Sequence, residues 1–273
     1  MANNDLIPLD TLKSRYGAWA LIAGGTEGLG RAYADTLAAA GINLLLVARR
    51  QALLDEVAAQ IEQAHGVSVV PVAADLAAPD AADRLVAAVG DRDLGLVIYN
   101  AGGDTACTDF LARDMTHWSS LIARNIGTLT GVTHRFAAHL VQRGRGGLVI
   151  VCSNGSLGGT ATLAVYTATK AYGLMFGESL WAELKPAGVD VLSVVIGATD
   201  TPHLRATLAS SGFDPDTIPL ASPADVAPAS LQRLASGPVF VFSELGGEAV
   251  EADRRRNAVE ASTAFMQRLM ASH

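Results

Sequence analysis

Short apolar runs alternate with amphipathic stretches along the whole chain, and that alternation limits the fold more than any other feature. Runs at 18–23, 42–47, 67–72, 94–99, 148–151, 189–196 and 238–242 are the right length for strands. Between them, helical patterns cover 29–40, 50–64, 79–89, 115–142, 165–184, 223–235 and 249–270, with a loop expected over 197–222. The strands are apolar on both faces, as parallel strands covered by helices on either side must be. Strand–helix alternation of this kind predicts an α/β fold with a doubly wound parallel sheet. At 273 residues the chain suits one such domain, with no repeat or linker to divide it.

The balance of residues narrows the function. Hydrophobic residues make up 50% and charged ones 17%, which excludes a disordered chain. With 20 basic and 27 acidic side chains the net charge is −7, so no nucleic-acid partner is expected. Cys107 and Cys152 form no disulfide framework and the histidines form no ligand cluster, so no metal is expected. No apolar stretch is long enough to span a membrane, and the N-terminal residues carry no signal-peptide pattern. A cytoplasmic protein is the expectation.

Two local patterns carry chemistry. The first strand runs into Gly24-Gly25-Thr26-Glu27-Gly28-Leu29-Gly30 and then a helix, a turn that lets backbone N–H groups approach a pyrophosphate. At the end of the second strand, where a carboxylate would hold the ribose of NAD, the chain has Arg49 and Arg50. Arg49 lies nineteen residues past Gly30, and a guanidinium there suits a 2′-phosphate, so NADP(H) is the expected cofactor.

The second pattern is Ser153, Tyr166 and Lys170. Tyr166 and Lys170 are four apart, hence on one helical face, and Ser153 follows the fifth strand thirteen residues before the tyrosine. A hydroxyl, a phenol and an ammonium converging there would move a proton to or from a carbonyl or alcohol oxygen. An ammonium about 4 Å from the phenol is worth roughly 4 kcal/mol at an effective dielectric of about 20. That would lower a tyrosine pKa by around 3 units, toward neutrality. Ser153 would hold the reacting oxygen as negative charge develops on it.

With these motifs placed, the chain resembles the short-chain dehydrogenase/reductase family over nearly its whole length. Ala23-Gly24 through Gly30 matches the family glycine motif, with alanine for threonine, and Asp75-Leu76 matches its adenine-contacting acid. Asn100-Ala101-Gly102 matches the N-A-G segment, with Tyr99 where another asparagine is common, and 196–201 matches P-G-x-x-x-T, with Ile196 for proline. The resemblance implies a catalytic tetrad of Asn125, Ser153, Tyr166 and Lys170. It implies cofactor contacts from Gly24, Thr26, Gly28, Leu29, Gly30, Arg49, Arg50, Asp75, Leu76, Asn100, Ala101 and Gly102. Tyr166, Lys170, Gly197, Thr199 and Thr201 complete that set, Thr201 at the nicotinamide carboxamide. The opening 16–21 and the string 46–50 look like members that act on lipophilic substrates, including ketosteroid- and ketoacyl-type reductases.

The segment 199–221 takes the place of the family's variable substrate lid. Its apolar residues suggest a lipophilic ketone or secondary alcohol, with Leu204, Leu208 and Phe213 as the pocket wall beside Ser153 and Tyr166; the other reading is that they pack the lid onto the sheet. His203, alone in that loop, is assigned no role. The family commonly pairs its two long central helices, and Leu121, Ile122, Leu129, Phe136, Leu174, Phe176 and Trp181 on 115–142 and 165–184 exceed what one core face requires. A homo-oligomer, tetramer or dimer, is the expectation. Two alternatives to a carbonyl reductase stay open: an NADP-binding redox sensor, and a relative catalysing dehydration or epimerisation.

Overall fold

The strands expected from the sequence form one seven-stranded parallel sheet in the order β3-β2-β1-β4-β5-β6-β7. They are β1 (Trp19–Ala23), β2 (Asn43–Ala48), β3 (Val69–Ala73), β4 (Leu94–Tyr99), β5 (Gly146–Ser153), β6 (Val189–Ile196) and β7 (Val239–Phe242). The computed structural model describes residues 6–104, 107–210, 212–242 and 248–271. Ten α-helices flank the sheet among these residues: α1 (Leu12–Tyr16), α2 (Gly28–Ala39), α3 (Gln51–His65), α4 (Ala81–Val89), α5 (Met115–Ile122), α6 (Leu129–Arg143), α7 (Ala164–Leu184), α8 (Pro202–Ser210), α9 (Pro223–Gln232) and α10 (Glu248–Ala271).

Each strand run is apolar because both of its faces are covered. Leu44, Leu46 and Ile22 point to one core layer, with Tyr33, Leu37 and Ile61. Leu45, Val47 and Leu21 point to the other, with Leu85, Val132 and Leu140. The spacing of Leu54, Val57, Ala58 and Ile61 on α3 shows the matching helical stripe, all four buried. Strand order reverses between β1 and β4, so a crevice opens at the carboxyl ends of these strands, where open α/β sheets bind ligands.

Three expectations change. The long helix expected over 115–142 is α5, a π-helical turn (Ala123–Thr128) and then α6. The loop expected over 197–222 contains α8, which Thr201 starts by accepting a hydrogen bond from Leu204 N at 3.1 Å. It is braced by Arg205, which reaches both Asp200 and Asp216. The surplus of apolar side chains on the central helices is also smaller than it looked. Leu121, Leu129, Phe136, Leu174 and Trp181 are all buried within the chain itself, the last four in one core layer, leaving Ile122 exposed and Phe176 partly covered.

α7 carries Tyr166 and Lys170, so its distance from β5 sets the site. Gly177 makes that distance short: a Cβ there would collide with Ser193 Oγ on β6 and press on Ile150 of β5. The helix can therefore lie close against the sheet and bring its first turns over the end of β5.

Candidate active site

Four elements meet at the crevice. Ser153 is the last residue of β5, and its hydroxyl accepts a hydrogen bond from Gly155 N at 3.2 Å. The same hydroxyl hydrogen-bonds the Tyr166 phenol, which rises from the first turn of α7. One turn on, Lys170 is buried and its ammonium donates to the Val151 carbonyl at 2.9 Å. Asn125 belongs to the π-helical turn, where its amide donates to Gly102 O at 3.1 Å and Thr169 Oγ1 at 2.9 Å.

The structure brings all four expected tetrad residues together. It also shows why Tyr99 is tolerated where an asparagine is common: its hydroxyl donates to the Arg124 carbonyl at 2.6 Å, fastening the end of β4 to the turn that carries Asn125. Asn125 Oδ1 is buried with no hydrogen-bond partner among the described residues. It sits beside Lys170, for a Cβ on Gly102 would lie 2.7 Å from that oxygen and 3.2 Å from Lys170 Nζ. Behind them, a cavity of about 10 Å³ bounded by Asn125, Thr169 and Lys170 has room for about one water molecule. This geometry suits an asparagine–water–lysine relay.

The electrostatics differ from the simple estimate. Burial pushes the Tyr166 phenol above its ordinary value, and the Ser153 hydrogen bond offsets that only in part. Lys170 does not bring the phenol down, because its ammonium is directed to the Val151 carbonyl and its own charge is disfavoured by burial. In this state Tyr166 is a protonated acid at neutral pH. The neighbouring thiol of Cys152 is pushed up to about 12 by burial and is not a nucleophile.

From this cluster a cleft of about 790 Å³ runs to the ends of β1, β2 and β3. Its walls include Gly24, Thr26, Gly28, Leu29, Arg49, Arg50, Asp75, Leu76, Asn100, Ala101, Gly102, Gly197, Thr199 and Thr201, together with Ser153, Tyr166 and Lys170. Gly30 lies beneath the wall, where a Cβ would run into the Gly24 carbonyl, so the turn is tight by necessity. Asn100 Nδ2 donates to that carbonyl at 2.9 Å, stapling the N-A-G segment to the glycine turn. Thr128 Oγ1 donates to Leu76 O at 2.7 Å, which ties the Asp75-Leu76 turn to the π-helical turn. A cleft with this glycine turn, a helix N-terminus and cations along its side fits a dinucleotide. Within it Arg50 is paired with Glu27, whereas Arg49 is exposed and faces the cleft.

Beyond Tyr166 the wall is mixed rather than apolar. Leu204 of α8 lines it as expected, joined by Cys107, by His203, which had been assigned no role, and by Leu163, His117 and Thr207, which did not stand out in the sequence. His117 Nε2 lies 3.4 Å from Asp104 Oδ1, and His203 Nε2 lies 3.3 Å from the Asp104 carbonyl, closing α8 over the cleft. Leu208 and Phe213 are not part of the wall, and Phe213 is 60% exposed. The chain reverses at the end of α8, where Phe213 N bonds back to Leu208 O at 3.0 Å, and the ring lies exposed. The signal for His117 and Arg124 was available in principle: 117, 120, 121 and 124 fall on one helical face that leads into Asn125.

A sequence profile of the short chain dehydrogenase family matches residues 18–211. The chain belongs to the short-chain dehydrogenase/reductase family. It is 31% identical over 244 residues to a 7beta-hydroxysteroid dehydrogenase of Clostridium sardiniense, covering 86% of this chain and 89% of that one. A structure solved for work on 7beta-hydroxysteroid dehydrogenase stereoselectivity superposes with a TM-score of 0.80 at 25% identity, over 91% of this chain and 99% of that one. A short-chain dehydrogenase from Sphingobium yanoikuyae in complex with NADPH gives 0.78 at 28% identity, over 90% and 95% of the two chains. This member of the family is thus an oxidoreductase of the dehydrogenase/reductase type, and no helix among its described residues is long and apolar enough to cross a membrane.

Proposed function

We propose that this dehydrogenase/reductase is an NADP(H)-dependent carbonyl reductase interconverting a lipophilic ketone and its secondary alcohol, with Tyr166 as general acid and base. The observation that carries this reading is the meeting of Ser153, Tyr166, Lys170 and Asn125 at the inner end of the dinucleotide-shaped cleft. When bound there, the cofactor would supply or accept the hydride. The glycine turn and α2 would hold its pyrophosphate, and Arg49, with Arg50 once it is released from Glu27, would take the 2′-phosphate. Thr199 and Thr201 would meet the nicotinamide end.

Tyr166 Oη then passes its proton to the substrate oxygen in reduction, while Ser153 Oγ hydrogen-bonds the same oxygen. Lys170 would stabilise the phenolate left behind once its ammonium turns from the Val151 carbonyl, and Asn125 would support Lys170 through the small cavity between them. A phenol kept protonated by burial favours the reductive direction at neutral pH. The 199–221 segment acts as the substrate lid of the one domain, with Leu204 and Leu163 giving apolar contact. The relatives named 7beta-hydroxysteroid dehydrogenase support a bulky alicyclic substrate of the hydroxysteroid kind.

Oligomerisation through the α5–α6 and α7 faces is part of the reading, resting now on exposed Ile122, Val141 and Met175. Free thiols at Cys107 and Cys152 accord with a reducing compartment such as the cytoplasm. The test is a panel of alicyclic, long-chain and small polar ketones, followed by absorbance of the reduced nicotinamide with NADPH and NADH. Faster turnover of bulky ketones with NADPH supports the proposal. Preference for a small sugar, or no oxidation of either cofactor by any ketone, defeats it.

A further inference from the structure

Three consecutive backbone carbonyls after β4 are each held by a different side chain of the site. Gly102 O accepts from the Asn125 amide at 3.1 Å, and Gly103 O accepts from the Arg124 guanidinium at 2.9 Å. Both donors belong to the π-helical turn. Asp104 O lies 3.3 Å from Nε2 of His203, the second residue of α8. A carbonyl only accepts, so the imidazole carries a proton on Nε2 and donates it. The Asp104 carboxylate is buried beside His117 of α5, which fixes the same residue a second time.

The strip 102–104 is shaped to receive the histidine. Gly103 has no side chain, and a Cβ there would lie 3.2 Å from His203 Nε2, tighter than an ordinary contact. The residue before α8 rests on the glycine turn, where a Cβ on Gly28 would meet Thr201 Cγ2 at 2.6 Å. Little else holds the helix down. None of the residues of α8 is buried, so apolar packing contributes weakly, and such elements open easily. Arg205 pairs with Asp200 and Asp216, both inside the same segment, and so braces the lid without tying it to the sheet. His203 reaches outside the segment, which gives one modest hydrogen bond unusual leverage.

We propose that His203 is a positioning residue that latches α8 shut on the strip 102–104, and that Arg124 sets the strength of the latch by fixing that strip. The turn that carries Asn125 then also decides how firmly the lid is held. The latch takes from the proposed function only the reading of 199–221 as a substrate lid. Were α8 held by packing alone, removing the imidazole donor would leave it in place. Were Arg124 only a local strut, its loss would not be felt at α8.

The experiment is native-state trypsin digestion of the ligand-free protein, with the initial rate of cleavage after Arg205, inside α8, followed by mass spectrometry. Cleavage there needs α8 to open, so its rate reports the open population. His203→Leu keeps bulk without a donor and should speed this cleavage about three- to tenfold. His203→Gln, whose amide can take the place of Nε2–H, should stay within about twofold of wild type. Gly103→Ala, which crowds the imidazole off its acceptor, should behave like His203→Leu. Arg124→Met should also speed cleavage in the wild-type background and add nothing to His203→Leu. A wild-type rate in His203→Leu overturns the proposal. So does an Arg124→Met that changes nothing, or that multiplies the rate equally in both backgrounds. Should Arg124→Met not give the wild-type circular dichroism spectrum, Arg124→Lys replaces it, with a smaller acceleration expected and the same two outcomes overturning the proposal. The KM of His203→Leu for a bulky ketone should rise; faster cleavage with an unchanged KM keeps the latch and refutes the lid reading.

Discussion

Replacing Ser153 with alanine separates two jobs that the proposed mechanism gives one hydroxyl in turn. As a donor to the substrate oxygen it is worth what a single oxyanion-type donor contributes, about 10²–10³ in kcat, or roughly 2.7–4 kcal/mol. As a partner of Tyr166 it stabilises the phenolate, the one substantial influence working against burial. Its loss raises the Tyr166 pKa further. In the reductive direction the phenol is the acid, so activity holds at low pH and falls as pH rises through the Tyr166 pKa. In Ser153→Ala this alkaline limb should shift to higher pH. In the oxidative direction the phenolate is the base, so at any fixed pH below that limb the rate should drop by more than in reduction. The Gly155 N–H loses its acceptor as well, and a half-exposed bond of that kind costs only about 0.5–1.5 kcal/mol of stability. The assay is steady-state turnover of one bulky ketone and its alcohol across the alkaline range, with thermal melts of both proteins. A downward shift of the limb, or retention of a third of wild-type kcat, would refute the shared-hydroxyl argument.

Other substitutions test separate parts of the site. Tyr166→Phe should abolish turnover and leave NADPH affinity, measured by fluorescence titration, within a few fold; a residual rate of a tenth would remove the acid–base assignment. Leu204→Ala removes apolar contact worth about 1.5–3 kcal/mol and should raise KM for a bulky ketone roughly ten- to a hundredfold. Phe213→Ala, which alters an exposed ring, should change neither KM nor kcat, and a large effect there would mean the lid closes differently over substrate. Glu178→Ala leaves Arg255 of α10 without its partner on α7 but still paired with Glu251, and a loss of about 1.5–3 kcal/mol should appear in chemical denaturation. A loss below 1 kcal/mol would mean that α10 is held by something other than this pair.

The sheet and the Ser153–Tyr166–Lys170 set were legible for the same reason: both are written in short-range periodicity, whereas Asn125 came only from the family resemblance. Buried parallel strands must be continuously apolar, and a phenol and an ammonium that share a site must be a helical turn apart. Sequence spacing therefore located Ser153, Tyr166 and Lys170 before any contact was known. Side-chain electrostatics were not legible in this way. The 4 Å estimate treated Lys170 as free to face the phenol, whereas the backbone carbonyl of Val151 competes for the ammonium. Phe213 failed differently. Hydrophobicity marked it as a wall residue, but it follows the end of α8, off the segment that lines the cleft, and its ring is exposed.

What escaped sequence reading is tertiary pairing between residues distant in the chain. Nothing in the string 123–128 announces a π-helical turn, because the same residues suit an ordinary helix. The turn is fixed from outside, by Tyr99 on the Arg124 carbonyl and by Thr128 on Leu76, and through it Asn125 meets Lys170. Arg49 and Arg50 show the same limit at its sharpest. As neighbours after β2 they look interchangeable, and a cofactor argument from position alone must count both. Glu27, in a variable position of the glycine turn, distinguishes them by pairing with Arg50. Arg49 is left exposed at the cleft. Which cation at the end of β2 is left toward the cleft therefore depends on a carboxylate in another loop.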